Sequence, residues 1–361
     1  MNFIKRTLKR GRLAAWANLK NDLRQKHPLE YLFWECTLNC NFFCKHCGSS
    51  AGRKVFKNEL KTDEIKKAYF DISQNFDPKK IMIAVTGGEP LMRQDLCEVM
   101  SYATKLGFPW GMVTNGSLVT ESKVAELKKA GLRTVVVSID GIGVQHDQFR
   151  NFAGAYEKAI NAVKLFKEAE FLDDLQITTT ITPANLTDLD QMYKIFSALG
   201  ISSWRLIEVD PIGRAEENKE VFLGKDQLKF LLDYIQNLRK KSKIKISFGC
   251  SGFLGQEYEG EVRDWLFRCA AGVTCGSILQ NGDIFVCPNV PRDKAPIEGN
   301  VKINSFSDVW NTKFTYYRDE NRNQCDGCSK CEFWEECKGG SLHHWDFDKK
   351  KPKVCYYNNI K

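Results

Sequence analysis

Fourteen cysteines stand in this chain, and their placement constrains the fold more than any other feature. Four fall between Cys36 and Cys47 and eight between Cys269 and Cys355, with Cys97 and Cys250 elsewhere, so two thiol clusters bracket a long middle. In a reducing compartment clustered thiols bind metal more often than they pair as disulfides. The apolar run nearest the start, Leu13 to Ala17, is too short for a signal-peptide core or a membrane span, so a cytoplasmic location is expected. A hydrophobic content of 43% with 27% charged residues over 361 residues excludes disorder as the main state and leaves room for more than one domain. The excess of 53 Lys and Arg over 45 Asp and Glu is too mild for a nucleic-acid footprint. Two metal regions flanking a scaffold are expected.

Residues 1–28 read as a basic amphipathic helix, with an apolar stripe of Ile4, Leu8, Ala15, Leu19 and Leu23 expected to pack on the following domain. From 29 to 215 strand-like runs alternate with helical ones. The strands are Tyr31 to Cys36, Ile81 to Val85, Trp110 to Val113, Thr134 to Ile139, Leu175 to Ile181 and Trp204 to Val209. Helical patterns fall between them at Thr62 to Asn75, Leu91 to Leu106, Ser122 to Lys129, Tyr156 to Ala169 and Leu189 to Leu199. Six strands joined by helical crossovers imply parallel pairing, hence an α/β fold built as a barrel-like or open sheet. Residues 216–262 read as a bridge, with a helix from Lys225 to Leu238 and a strand from Ile244 to Phe248. Residues 263–361 have short strands, many turns and little apolar sequence, the composition of a metal-stapled domain.

Cys40, Cys44 and Cys47 occupy the loop after the first strand, at the carboxyl edge where ligands gather in parallel α/β folds. Three thiolates so close together suit one cubane with an open iron, since four-iron clusters normally take four Cys. A zinc site borrowing Cys36 is the alternative. Thr86-Gly87-Gly88-Glu89-Pro90 follows the second strand, where glycines let backbones approach closely, and Thr114-Asn115-Gly116 follows the third. Ser138-Ile139-Asp140-Gly141 closes the fourth, with His146, Asp147 and Arg150 beyond it. Thr178 to Thr180, Asn185, Leu206 and Ile207 lie on later strands where site contacts compete with ordinary sheet packing.

The Cys-x3-Cys-x-aromatic-Cys loop, with His46 at the aromatic position, resembles the signature of the radical S-adenosylmethionine (SAM) superfamily. The resemblance implies that Cys40, Cys44 and Cys47 hold a [4Fe-4S] cluster whose open iron is chelated by SAM, which an electron cleaves to methionine and a 5′-deoxyadenosyl radical. It implies that His46 lies near adenine, that Gly87, Gly88 and Glu89 meet the methionine amino group, that Ser138 meets the ribose, and that Arg150 meets the SAM carboxylate. The fork of a guanidinium suits that last role. His146 and Asp147 are read as structural.

The terminal cysteines run Cys269-x5-Cys275, Gly282-x4-Cys287, Cys325-x2-Cys328-x2-Cys331-x5-Cys337 and Cys355. This resembles the SPASM extension, so the implied fold is a partial (β/α)6 radical SAM barrel followed by a small cysteine-rich SPASM domain with two auxiliary [4Fe-4S] clusters. Cys328, Cys331, Cys337 and Cys355 match one set. The other has Cys269, Cys275 and Cys287, but Ser341 stands where the family pattern has a Cys. Cys325 is expected to supply the missing bond, with a serine alkoxide or an open iron as alternatives. Taken alone, the region also reads as a zinc ribbon. Cys36, Cys97 and Cys250 are assigned to packing, as are Trp310, Phe314, Tyr316 and Tyr317; His343 and His344, between Cys337 and Cys355, are read as structural, with ligation or proton donation as the alternative.

SPASM proteins mostly modify peptides or proteins, so the resemblance implies an oxidoreductase of the peptide-maturase kind. The expected partners are a peptide or small protein substrate and an electron donor such as flavodoxin or ferredoxin, with no nucleic acid. Formylglycine formation is disfavoured because Pro288 and Asn289 follow Cys287, where the sulfatase-maturing branch has an Asp base. The run Phe33-Trp34-Glu35-Cys36-Thr37 resembles the Bacteroidetes radical SAM group found beside small lipoproteins. About thirty residues precede the first strand, too few for a winged-helix leader-binding domain. The alternatives are a radical SAM enzyme on a small molecule such as a tetrapyrrole, and a non-catalytic iron–sulfur electron-transfer protein.

Overall fold

The computed structural model describes residues 3–53 and 58–361. Seven strands follow one another through the first two-thirds of the chain: β1 (Tyr31–Thr37), β2 (Met82–Gly87), β3 (Trp110–Thr114), β4 (Thr134–Ser138), β5 (Asp174–Ile181), β6 (Ser203–Glu208) and β7 (Lys245–Phe248). Helices α1 (Phe3–Lys26), α2 (Thr62–Asn75), α3 (Leu96–Leu106), α4 (Glu121–Lys129), α5 (Val144–Arg150), α6 (Ala155–Glu168), α7 (Leu189–Ala198) and α8 (Lys225–Arg239) precede and separate them. α2 buries Ile65, Ala68, Tyr69 and Ile72, a run at i, i+3, i+4 and i+7 that places one stripe on the sheet. α3 stops where Gly107 takes φ 102°, a left-handed cap that favours glycine. Trp34, Trp110 and Trp204, all fully buried, fill the same core from β1, β3 and β6.

The six expected strands are present, and the sheet is larger than they are. β7, from the segment read as a bridge, pairs parallel with β6. On the other edge β8 (Cys275–Ile278) pairs parallel with β1, and β9 (Asp283–Phe285) and β10 (Gly299–Asn300) continue antiparallel. The order is β10-β9-β8-β1-β2-β3-β4-β5-β6-β7, one mixed α/β sheet carrying the barrel region first and the cysteine-rich region after it. The terminal region therefore adds its strands to the existing sheet, and Phe306, Trp310, Phe314 and Tyr317 join the main core. Fully buried Glu35 of β1 binds Arg292 through both carboxylate oxygens at 3.0 and 2.7 Å, tying a terminal loop to the barrel by a bidentate ion pair.

The amphipathic reading of α1 needs correction. Leu8, Ala15 and Leu19 are exposed, and the side chain of Ile4 lies outside the described residues. The buried face carries Leu13, Ala17 and Lys20, with Trp16 half-buried beside them. It packs on Phe253, Leu266, Phe267 and Phe333, near the other end of the chain. Trp16 Nε1 donates to the carbonyl of Phe267 at 3.0 Å, and Lys20 donates to the carbonyls of Glu335 and Glu336. Those polar contacts, which need tertiary partners, rotate the helix away from its most apolar stripe. Among the described residues no helix is long and apolar enough to cross a membrane.

Leu13→Ala is expected to weaken docking of α1 by about 2–4 kcal/mol. Faster amide hydrogen exchange in α1 and around residues 266–267, with the β2–β5 core unchanged, is the readout. Unaltered exchange in α1 would show that this face does not hold it.

Candidate functional site

The carboxyl ends of β1 to β6 converge on a cavity of about 280 Å³. At its base Gly87 has φ 132°, and a Cβ there would lie 2.1 Å from the carbonyl oxygen of Thr37. At Gly88 a Cβ would lie 2.2 Å from the carbonyl oxygen of Asn39. Only glycine allows the approach, and it lets Gly88 N donate to Thr37 O at 2.7 Å and Glu89 N to Asn39 O at 2.9 Å. The loop after β2 is thus stitched to the root of the cysteine loop, where a register shift between Glu35 and Thr37 bends β1. The Glu89 side chain does not face the cavity. It is fully buried and accepts from Thr114 Oγ1, Asn115 N and Leu91 N. Burial raises its pKa while those donors oppose the rise.

Cys40, Cys44, Cys47 and His46 line the cavity together with Gly87, Gly88, Ser138 and Arg150, all named from sequence. Thr178 and Thr180 line it too, whereas Thr179, on the opposite face of β5, donates to Ile139 O. Asn185 donates to the carbonyls of Asp140 and Thr180 and holds the strand ends together. Ile207 lines the cavity, and Leu206 is core. Cys36 sits in the main core, apart from the three loop thiols, and Asp147 accepts from the N–H groups of Gly154 and Tyr156.

Asp140 organises the polar wall. Its Oδ2 accepts from Arg150 Nε at 2.5 Å and its Oδ1 from Thr180 N at 2.7 Å. Its own N–H donates to His146 Nδ1, which fixes that ring as the Nε2–H tautomer. Burial works against its ionisation, yet the Arg150 guanidinium and the Thr180 N–H hold Asp140 below the usual carboxylate range. Arg150 extends past it to within 3.9 Å of Cys44 Sγ. His46 stacks on Phe149 with centroids 4.2 Å apart, burial pushes its pKa down to about 3, and its Nδ1 is buried without a partner. From the loop after β6, Arg214 donates to the carbonyls of Cys44 and Ala51 and lies over the Phe43 ring, which fixes the curl of the cysteine loop.

The donor set fits an iron–sulfur cube: burial drives the Cys40 thiol up to about 12 and raises Cys44, so these sulfurs ionise only where a cation takes up the charge. The Arg150 fork, the Ser138 hydroxyl and the orphaned His46 Nδ1 beside them fit a polar organic ligand bearing a carboxylate. The radical SAM superfamily profile matches residues 34–196, and that of the SPASM iron–sulfur cluster-binding domain matches 269–332. The chain belongs to the radical SAM superfamily. It is a radical SAM enzyme with a SPASM domain, and the catalytic cluster, SAM and SPASM iron–sulfur centres are its cofactors.

Among curated relatives, an AdoMet-dependent heme synthase of Oleidesulfovibrio alaskensis is 28% identical over 340 residues, 89% of this chain and 85% of that protein. The mycofactocin maturase MftC of Mycolicibacterium smegmatis is 26% identical, covering 86% of this chain and 77% of its own. Among solved structures, native anSMEcpe with bound AdoMet superposes with a TM-score of 0.71 at 19% identity, over 92% of this chain and 94% of that one, a likeness of fold.

In the SPASM region Cys269, Cys275 and Cys287 line a second cavity of about 360 Å³. Cys325 is not with them. Its carbonyl accepts from Cys328 N at 3.0 Å, so it stands beside the Cys328 turn and is not among the residues lining this cavity. Cys250, assigned to packing, lines the second cavity instead. The residue is exposed at that wall.

Sequence reading also missed Glu208 and Asp210, which line the first cavity. Their position at the carboxyl end of a barrel strand is the signal that marks such residues. Burial lifts Glu208 to about 8, with the Asp210 charge adding to it, and Glu208 Oε2 has no partner. Burial opposes ionisation of Asp210 as well, but His343 and His344 hold it down to about 2. His344 Nε2 lies 2.8 Å from Asp210 Oδ1 and His343 Nε2 3.5 Å. His343 lines the second cavity, so this triad spans the wall between the two. Its histidines, read as structural, sit beside a site carboxylate.

Asp140→Asn leaves Arg150 without its counter-charge and is expected to cost about 3–5 kcal/mol, seen as a lower urea midpoint at unchanged slope. An unchanged midpoint would mean that Arg150 is not held this way. Glu208 stays protonated in the folded chain while the unfolded one ionises above its ordinary 4.5, so stability falls as pH rises from there to about 8 and then levels. Glu208→Gln is expected to flatten that segment of the stability curve, and a parallel curve would refute the assignment.

Proposed function

We propose that this radical SAM enzyme modifies a peptide or a segment of a small protein, admitted through a groove that opens onto the cysteine loop. The groove, about 610 Å³, shares Gly48, Ser49 and Ile212 with the first cavity and carries the reading. Its walls bear Glu216, Lys294, Asp346, Asp348, Lys349 and Lys353, partly paired as Lys294–Asp348 at 2.8 Å and Lys353–Glu216 at 2.9 Å. Such mixed polarity suits backbone amides and polar side chains. Trp345 and Phe347 on the same walls add apolar surface for side chains. The maturase MftC, similar along 86% of this chain, supports the same substrate class.

In this reading Cys40, Cys44 and Cys47 hold the catalytic cluster, and Gly87, Gly88, Ser138, Arg150 and His46 hold SAM. When bound, the cluster and SAM supply a 5′-deoxyadenosyl radical at the expense of one electron from a donor such as flavodoxin or ferredoxin. Arg150, pinned by Asp140, orients a carboxylate without reorganisation. Where the product is an oxidised residue, the substrate, having given up a hydrogen atom, must also lose one electron, to a SPASM iron–sulfur centre, and one proton, which Asp210, anionic at the wall of the cavity, would accept. Neutral Glu208, two residues away, is a proton donor. Two carboxyl groups driven to opposite protonation states mark such a division of roles. Asp210 stands where the absent base after Cys287 would otherwise be sought, since Asn289 lines the cavity without being able to accept a proton.

A second reading, action on a tetrapyrrole, is favoured by the heme synthase relatives, which are 26–28% identical over 85–89% of this chain.

The test is anaerobic turnover with dithionite, SAM and, in parallel, short peptides or small proteins drawn from the products of neighbouring genes and iron-coproporphyrin. 5′-Deoxyadenosine with a mass change in the peptide alone is expected. Asp210→Asn should still release 5′-deoxyadenosine while modified peptide falls roughly 10²–10⁴-fold. A mass change in the porphyrin alone would replace this reading by the second.

A further inference from the structure

We propose that Cys250 is the fourth thiolate of the first auxiliary cluster, completing a set with Cys269, Cys275 and Cys287 from a loop outside the terminal cysteine run. The inference rests on the assignment of iron–sulfur clusters to the SPASM region and concerns which side chains hold them.

Four thiols open onto one cavity: Cys269 and Cys275 at the start of the terminal region, Cys287 after β9, and Cys250 from the loop that leaves β7. Four is the ordinary complement of a four-iron cluster. Cys250 is held there by contacts that have no role in merely filling a core. Gly249 N continues the sheet by donating to Leu206 O at 2.9 Å. On either side of Cys250, the carbonyls of Gly249 and Gly252 accept from Arg263 at 2.9 and 2.7 Å. Arg263 is itself fully buried and paired with buried Glu259 at 2.5 Å, and Glu259 also accepts from Leu254 N in the same loop. A buried ion pair is an expensive way to hold a loop, and here its hydrogen bonds converge on the backbone that presents one thiol.

Ser341 explains why a substitute is needed. It lines the same cavity, but its hydroxyl donates to the carbonyls of Cys250 and Ser251. The residue at the missing ligand position thus fastens the replacement loop in place instead of offering its oxygen to a metal. Cys325 stands away from this cavity, its carbonyl accepting from Cys328 N at 3.0 Å.

The experiment uses the full-length chain with Cys40, Cys44 and Cys47 replaced by Ala, so that iron, sulfide and EPR report only the auxiliary clusters. In this background Cys250→Ala is expected to remove or alter one of two reduced-cluster signals, with iron falling by up to about four per chain. Cys325→Ala should leave that signal intact. Cys250→Ala combined with Ser341→Cys should restore it, and because rescue requires a folded domain it separates ligation from folding. Retention of both signals in Cys250→Ala, loss of the same signal in Cys325→Ala, or no rescue by Ser341→Cys overturns the assignment. Zinc in place of iron in the parent background would overturn the cluster reading itself, an outcome distinct from the others.

Discussion

A carboxylate with almost no exposure, Asp140, is the constraint around which the site is built. An unpaired charge at that depth would be prohibitive, so everything near it is arranged to satisfy it. The arrangement reaches β5 through Thr180 N, α5 through Arg150 and His146, and the cysteine loop through His46. Satisfying the charge also aims Arg150 at Cys44. Pairing this buried acid and positioning the guanidinium of the site are one event.

The same logic runs through the glycines of the loop after β2. Gly87 and Gly88 let two backbones meet at a distance no Cβ would tolerate, and the cysteine loop inherits its position from that contact. Glu89 serves the loop as an acceptor for three N–H or O–H donors, so its carboxylate works on the protein while the backbone beside it faces the cavity. Arg214 closes the loop from its far side. Three elements distant in sequence fix one short curl of chain.

Much of this was legible in the sequence, because local pattern decides it. Six strands and five helices lie where alternation and helical spacing put them, and the cavity gathers the loop cysteines with His46, Gly87, Gly88, Ser138 and Arg150. What escaped depends on pairing between remote segments. The face of α1 is chosen by Trp16 and Lys20 finding carbonyls roughly 250 to 320 residues away. β8 joins β1 across most of the chain, which no periodicity announces. Cys250 has no cysteine close by in sequence, so spacing gives it no partner. Asp210 and Glu208 look ordinary until burial and His343 push their protonation states apart.

The parallel pairing of β1 with β8 has a consequence for how the protein is made. Until residues 275–278 have left the ribosome, β1 is an open edge strand, and the seat of α1 around Phe253, Phe267 and Phe333 does not exist. Contacts of such long range are slow to form and leave unpaired edges exposed during synthesis. The strand that leads into the cysteine loop is therefore closed late, after the thiols of that loop have been synthesised. The terminal region is thus the latch that ends the period in which this edge stands open.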